Sequence, residues 1–132
     1  MLLGEVVSLM LASNLHRDYL VNDIGSVFLP PIDWNQFRIY HQGERPIAFV
    51  SWAWLSEEVE HAYLHSDRNL TPNDWNSGSN GWIIDFIAPF GHATKIVSDL
   101  RTLIFPNVRG KAMRVKENGH VKGLIKLHGI NA

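Results

Sequence analysis

The chain has 132 residues, of which 45% are hydrophobic and 11% aromatic, and this composition is typical of one globular domain with a sizeable core. The absence of cysteine excludes disulfides, thiolate metal sites and a cysteine nucleophile, and it favours a cytoplasmic location. No segment is long and apolar enough to predict a membrane span. We therefore expect a single domain over residues 1–132 without membrane insertion.

The net charge of −1 conceals a strong asymmetry along the chain. Residues 1–94 hold four Lys or Arg and eleven Asp or Glu, whereas residues 95–132 hold eight Lys or Arg and two Asp or Glu. A basic C-terminal third can steer an acidic partner, or it can be an ordinary solvated surface. Nucleic acid is a weaker alternative, because no nucleic-acid-binding motif accompanies the charge.

The first half of the chain predicts two helices followed by a hairpin. Apolar residues recur at helical spacing over residues 4–12, and a second helix over residues 19–28 is expected to end at Pro30-Pro31. Residues 36–41 and 47–55 have the composition of two strands joined by a tight turn.

The second half predicts alternating helices and strands. Ser56 is a good N-cap for a helix that extends to about His65, and a polar loop follows over residues 67–81. After the next strand comes a helix over residues 92–104, and the chain ends in a hairpin that turns at Asn118-Gly119. The order of these elements indicates an α+β or α/β domain.

The strand between the polar loop and that helix is the most informative segment. Strict alternation predicts one face with Trp82, Ile84, Phe86 and Ala88 and another with Ile83, Asp85 and Ile87. Both faces are apolar, as in a central strand that is covered on both sides. An ionised Asp85 buried there needs a partner, so it either meets a structural need or holds a functional group in place.

The histidines offer several candidate sites. His61 and His65 have the spacing of a zinc pair, but no third ligand is evident, so we predict no metal site. Gly91 and His92 lie at a strand–helix junction, where backbone N–H groups can bind an anion, although such junctions often serve only as turns. His16 follows the first helix where its periodicity stops, and it is either a surface histidine or a side chain directed at a cleft.

Several spaced motifs, taken together, resemble a known family. They cover the chain from about Leu9 to Gly129, and they are Ser13-x-Leu15-His16-Arg17, Phe28-Leu29-Pro30, Pro46-Ile47-Ala48-x-x-Ser51-Trp52-Ala53, Asp74-Trp75-x-Ser77-Gly78, Trp82-x-Ile84-Asp85-x-Ile87-Ala88-Pro89-Phe90-Gly91, Ala112-Met113-Arg114-Val115 and His128-Gly129. In this order the motifs resemble the RTX toxin-activating lysine acyltransferases, the hemolysin C-type family.

The resemblance implies both a fold and an activity. The fold would be GNAT-like, with three layers in which helices flank a central mixed sheet. The activity would be transfer of a fatty acyl group from acyl carrier protein to internal lysines of an RTX protoxin, which activates a haemolytic, cytolytic toxin. The family's catalytic histidine and aspartate fall on His16 and Asp85, its nearby serine on Ser13 and a functionally sensitive arginine on Arg114.

The chemistry of these residue types agrees with that implication. A lysine ammonium must lose a proton before its nitrogen can attack a thioester, and histidine can accept a proton near neutral pH. A carboxylate on the other ring nitrogen would fix the tautomer, which gives Asp85 a role. Backbone N–H groups near Gly91 or the guanidinium of Arg114 could stabilise the oxyanion, with His92 at the same junction as a further donor-binding candidate.

The partners and the alternatives follow from the same resemblance. No bound cofactor is expected, because the phosphopantetheine thioester of acyl carrier protein is a co-substrate, and this acidic partner would suit the basic third. Side chains around Trp82 and Phe86 could line an acyl tunnel or simply pack in the core. The alternative function is an inactive relative that escorts the protoxin or the carrier protein. Whether the chain forms a homodimer stays open.

Overall fold

The structure is a computed structural model that describes residues 2–65, 70–115 and 121–132. Its elements, in chain order, are α1 (Leu2–Leu11), α2 (Val21–Val27), α3 (Leu29–Asp33), β1 (Phe37–Gln42), β2 (Arg45–Leu55), α4 (Glu57–His65), a 3₁₀ turn (Pro72–Trp75), β3 (Asn80–Ile87), α5 (Ala93–Asp99), a π turn that continues it (Leu100–Ile104), β4 (Arg109–Val115) and β5 (Val121–His128). No helix in these ranges combines the length and hydrophobicity that crossing a membrane requires.

The five strands form one mixed sheet in the order β1-β2-β3-β4-β5. Neighbouring strands are antiparallel except β3 and β4, which are parallel and pair only from Gly81↔Gly110 to Ile83↔Ala112. A parallel pair needs a crossover connection, and α5 with its π turn supplies it. The prediction of a central strand for β3 is therefore confirmed.

Helices cover the sheet on both sides, which gives three layers. On one side α1 contributes Val6, Leu9 and Met10 to a cluster with Phe49 of β2, and α4 packs Tyr63 and Leu64 against a second cluster. We call this side the α1/α4 face. On the other side, the α5 face, Ile96 and Leu100 pack against alternate residues of β2. The mixed α/β architecture and its layers are as predicted, while the GNAT-like fold stays a prediction.

The strict alternation predicted for β3 is wrong. Ser51 of β2 pairs with Asp85, but Trp52 pairs with Ile83, so Ile84 is an extra residue that bulges from β3. The bulge places Trp82 on the same side as Asp85, because Trp82 packs in the α4 cluster while Ile83 and Phe86 pack on the α5 face. The extra residue therefore moves each residue of β3 that precedes it to the opposite face of the sheet from the one that strict alternation predicts.

Several helix boundaries also differ from the predicted ones: α1 covers Leu2–Leu11 and not residues 4–12, and α2 covers Val21–Val27 and not residues 19–28. Pro30 and Pro31 end α2 as expected, but they also begin α3, because proline lacks only an N–H group that the first turn of a helix leaves unbonded. The predicted helix over residues 92–104 is α5 followed by the π turn. The polar loop contains the 3₁₀ turn, and the predicted turn at Asn118-Gly119 lies outside the described residues.

Gly129, directly after β5, packs closely against the backbone of the segment between the π turn and β4. A Cβ atom at this buried position would lie 2.1 Å from the carbonyl oxygen of Phe105 and 2.3 Å from the carbonyl carbon of Pro106. We predict that Gly129→Ala lowers the free energy of unfolding by more than about 1 kcal/mol, because backbone must move. The matched control is Gly123→Ala, whose Cβ would meet nothing within 4 Å. Urea unfolding of both variants checks this, and equal stabilities would contradict it.

Candidate functional site

The site is built where the turn after α1 meets the middle of β3. The backbone carbonyl of Ser13 accepts hydrogen bonds from the N–H groups of His16 and Arg17, and this tight turn directs the His16 side chain inward. His16 is 3% exposed and Asp85 is 6% exposed. The sequence left open whether His16 lies on the surface or in a cleft, and the structure places it in the interior.

Three side chains form a continuous hydrogen-bonded chain. His16 Nε2 lies 3.0 Å from Asp85 Oδ1, and His16 Nδ1 lies 2.7 Å from Ser13 Oγ. A carboxylate can only accept, so Nε2 carries the proton that is donated to Asp85, and Nδ1 is left to accept from the Ser13 hydroxyl. The basic nitrogen of the imidazole is therefore Nδ1, on the side of the half-buried Ser13.

The described partner of Asp85 is a histidine. No Lys or Arg whose side chain the structure describes lies within ion-pair distance of its carboxylate, and among those side chains its buried Oδ2 atom has no hydrogen-bond partner. The backbone N–H of Asp85 donates to Ser51 Oγ at 3.2 Å, so a side chain satisfies the amide at the bulge. A buried carboxylate with one unsatisfied oxygen costs stability, which favours the functional explanation over the structural one.

The negative charge of Asp85 contributes to the raised pKa values of two nearby tyrosines. Burial, then the negative charges of Asp85 and Asp23, raise the pKa of Tyr19 to about 12. Burial and the same Asp85 also raise the pKa of Tyr63. The Tyr19 ring lies 5.2 Å from the His16 ring, measured between centroids. Tyr19, Tyr63 and Ser51 were not predicted as site residues, although Tyr19 follows His16 by one tight turn and Ser51 belongs to the motif Pro46-Ile47-Ala48-x-x-Ser51-Trp52-Ala53.

The other predicted site residues are not joined to this hydrogen-bonded chain. Gly91 lies in the connection from β3 to α5 with a φ of 91°, and His92 follows it as the N-cap of α5. No hydrogen bond between described residues links either of them to His16 or Asp85. The side chain of Arg114 lies outside what the structure describes. The roles of Gly91, His92 and Arg114 therefore stay predictions.

The two histidines of α4 have neighbouring rings. The rings of His61 and His65 lie 4.4 Å apart between centroids. Among the residues with described positions, no group of three His, Cys, Asp or Glu side chains could hold a metal ion.

The geometry can be compared with known proteins. A profile of the HlyC family, described as the RTX toxin acyltransferase family, matches residues 1–128. The chain is 41% identical over 105 residues to the lysine-acyltransferase RtxC of Vibrio cholerae, covering 79% of this chain and 69% of that one. It is 38% identical over 128 residues to the protein-lysine myristoyltransferase HlyC of Escherichia coli, covering 97% and 75%. An uncharacterised protein of Synechocystis sp. is 43% identical over 120 residues, covering 89% and 82%.

The two tyrosines can report the charge of Asp85. We predict that Asp85→Asn lowers the pKa of both Tyr19 and Tyr63, because removing a negative charge makes the phenolate less unfavourable. Tyr40 is the internal control, since burial and Asp99 raise its pKa without a contribution from Asp85. Alkaline titration of ring-labelled tyrosine followed by NMR measures all three together. Unchanged pKa values of Tyr19 and Tyr63 would contradict an electrostatic contribution of Asp85 to either tyrosine.

Proposed function

The chain belongs to the RTX toxin acyltransferase family, and we propose that it transfers a fatty acyl group from acyl carrier protein to lysine ε-amines of an RTX protoxin. The observation that carries the proposal is the buried hydrogen-bonded chain Ser13–His16–Asp85. Relatives named as lysine acyltransferases, including RtxC and the RTX-I toxin-activating ApxIC, support the reaction class.

The proposed reaction uses His16 as a general base. The neutral lysine amine attacks the thioester carbonyl, and His16 Nδ1 accepts the proton that the nitrogen loses as the new bond forms, while Asp85 holds the opposite ring nitrogen and stabilises the imidazolium. The carbon–sulfur bond then breaks, and the amide forms. The departing thiolate takes the proton from the imidazolium, which returns His16 to its starting state. The Ser13 hydroxyl occupies the position from which the amine must approach Nδ1.

The donor needs a surface for an acidic carrier protein, and the β4–β5 hairpin offers one. Lys111 pairs directly with Lys126, so like charges stand opposite each other across the two strands, and Arg109 lies two residues before Lys111 on β4. Such pairs are destabilising until an anion lies between them. Among described carboxylates only Glu60 is in ion-pair contact with this group, at 3.4 Å from Lys111 Nζ. An acidic carrier would relieve this repulsion.

The remaining parts of the proposal rest on the resemblance. Gly91 or Arg114 would stabilise the oxyanion, His92 would help to bind the donor, no cofactor would be bound, and the reaction would take place in the cytoplasm. The escort alternative has no observation in its favour, because the chain retains every group that the proposed proton transfer needs.

Mass analysis of a co-expressed RTX protoxin tests the proposed function. The expected result is a mass increase of one or more fatty acyl groups, located by peptide mapping on internal lysines. Binding of the protoxin without any acylated lysine would instead support the escort.

Variants of the hydrogen-bonded chain test the roles of its members. We predict that His16→Ala abolishes transfer and that Asp85→Asn lowers its rate by about 10²–10⁴, since a serine protease, the standard reference case, loses about 10⁴ on the same change. Ser13→Ala should retain measurable activity, because the amine can bond Nδ1 directly. An acylation assay with circular dichroism on the same preparations measures activity and folding together.

Three outcomes would contradict this assignment. Near-normal transfer by His16→Ala would remove His16 from the mechanism. A folded, fully active Asp85→Asn variant would make Asp85 structural. Complete loss in Ser13→Ala, together with a trapped acyl-serine in the wild type, would show that Ser13 is a nucleophile.

The carrier surface makes a separate prediction. Arg109→Glu combined with Lys126→Glu should weaken binding of acyl carrier protein and reduce its dependence on salt, since exposed charges are screened over about 8–10 Å at physiological ionic strength. Both side chains are exposed and have no ion-pair partner in the described ranges. Lys95→Glu, an exposed lysine on α5, is the control. Titration of each variant with acyl carrier protein at two salt concentrations measures the effect. An unchanged affinity would mean that the hairpin does not bind the carrier protein.

A further inference from the structure

Three large apolar side chains are exposed on the segment that carries His16. Leu11 is 67% exposed at the end of α1, and Leu20 and Val21 are 69% and 84% exposed where α2 begins. A single exposed apolar residue is normal on a protein surface, whereas a group of them is typical of an interaction site. We call Leu11, Leu20 and Val21 the apolar rim.

The apolar rim borders the opening to His16. Consecutive tight turns connect α1 to α2, since the carbonyl of Ser13 accepts from the N–H of His16 at 3.2 Å and the carbonyl of His16 accepts from the N–H of Tyr19 at 3.1 Å. His16 is the one fully buried residue over residues 11–27. The rim therefore lies within a few residues of Ser13, on both sides of it along the chain.

Only the tip of a side chain can reach the basic nitrogen of this site. Because His16 is buried and Ser13 is half-buried, a polypeptide backbone has to stay outside while a long side chain enters. Lysine has a flexible four-carbon stem that packs on apolar surface and an amine at its end. The residues before and after such a lysine would then lie over the apolar rim.

The charges beside the rim suit a lysine better than an acidic carrier protein. The segment that carries the rim has two carboxylates, Asp18 and Asp23, and one Lys or Arg, Arg17. Asp23 lies close enough to the site to raise the pKa of Tyr19, and its Oδ2 atom accepts from the N–H of Leu20. Asp18 is exposed. The surplus of cations that an acidic carrier requires lies instead on the β4–β5 hairpin, so the two partners would occupy different surfaces.

We infer that the apolar rim and Asp18 bind the acceptor polypeptide as an extended segment with apolar residues on either side of its lysine. The inference rests on the proposed function and adds to it the side chains that select the acceptor. Apolar neighbours of the lysine cover the rim and are removed from water, while Asp18 attracts the ammonium as it approaches. Acceptor selection is thereby separate from proton transfer, which belongs to His16.

Peptide binding tests the inference without any transfer step. The probes are two fluorescent, glycine-rich peptides, one with a central lysine between leucines and one with a central lysine between serines. Fluorescence anisotropy with the whole chain measures both affinities. The leucine peptide should bind about tenfold more tightly, because only its neighbours of the lysine bury apolar surface on the rim.

Variants of exposed apolar residues assign this preference to the rim. Leu20→Gln combined with Val21→Gln should remove the leucine preference, and Leu11→Gln should reduce it if that pair fails to fold by circular dichroism. Leu103→Gln combined with Ile130→Gln is the matched control, because these side chains are 74% and 61% exposed on the π turn and after β5. The control pair should keep the full preference.

A charge reversal tests the contribution of Asp18. Asp18→Lys should weaken both peptides severalfold, and the loss should become smaller as salt is added, because interactions between exposed charges are screened. Glu57→Lys reverses an exposed carboxylate at the start of α4 and should leave both affinities unchanged. Equal losses in the two variants would mean that overall charge, and not Asp18, attracts the peptide, which would overturn this part of the inference.

The outcomes separate the inference from the proposed reaction. Equal affinities of the two peptides for the unmodified chain, or a leucine preference that survives in folded rim variants, would overturn the inference. Peptide binding that decreases at high protein concentration would also overturn it, because a second copy of the chain would then cover the rim. A preference that depends on the rim, without any acylated protoxin, would sustain the lysine-peptide surface and reject the transfer. Acylated protoxin without a preference would sustain the transfer and reject the surface.

Discussion

The extra residue in β3 is the constraint on which the site depends. Ser51 faces Asp85, and the next residue of β2 faces Ile83, so the bulge at Ile84 changes which side chains reach the α1/α4 face. It lets one strand bury Trp82 against α4 and present Asp85 to the turn after α1, both on the same side. Bulges commonly redirect a side chain next to a functional site, at the cost of a ladder hydrogen bond. Here the Ser51 hydroxyl compensates that cost by accepting from the amide of Asp85.

Much of this fold can be predicted from the sequence, because most elements follow ordinary periodicity and capping. The central position of β3, the hairpin before α4 and the mixed architecture all follow from apolar patterns and turn residues. The faces of β3 could not be predicted, since Ile84 is as suitable for a regular strand as for a bulge. The helix α3 was not predicted because two prolines in succession ordinarily mark the end of a helix, whereas here they lie in the first turn of the next one.

The candidate site was predicted only in part, for a different physical reason. His16 and Asp85 are 69 positions apart, and neither is distinguished locally from a surface histidine or a structural aspartate. The resemblance to a family brought them together, and the hydrogen bond between two buried side chains now gives each a partner. Tyr63 and Ser51 escaped notice because their relation to Asp85 depends on the packing of α4 and on the register of β2. Neither the packing of α4 nor the register of β2 can be predicted from a local sequence pattern.

The order of groups in the site raises the question of why a serine stands at the basic nitrogen. The chain of Ser13 Oγ, His16 and Asp85 has the sequence of contacts that activates a nucleophilic serine in hydrolases. Ser13 and His16, however, are three residues apart in one tight turn, so local backbone geometry already brings the hydroxyl to Nδ1. A lysine amine, once deprotonated, is itself a strong nucleophile and needs only a base. The hydroxyl then keeps Nδ1 hydrogen-bonded in a buried site until the amine arrives, and the Asp85 bond keeps that nitrogen free of a proton. On this view Asp85 sets the tautomer, the serine keeps the basic nitrogen hydrogen-bonded, and the histidine accepts the proton.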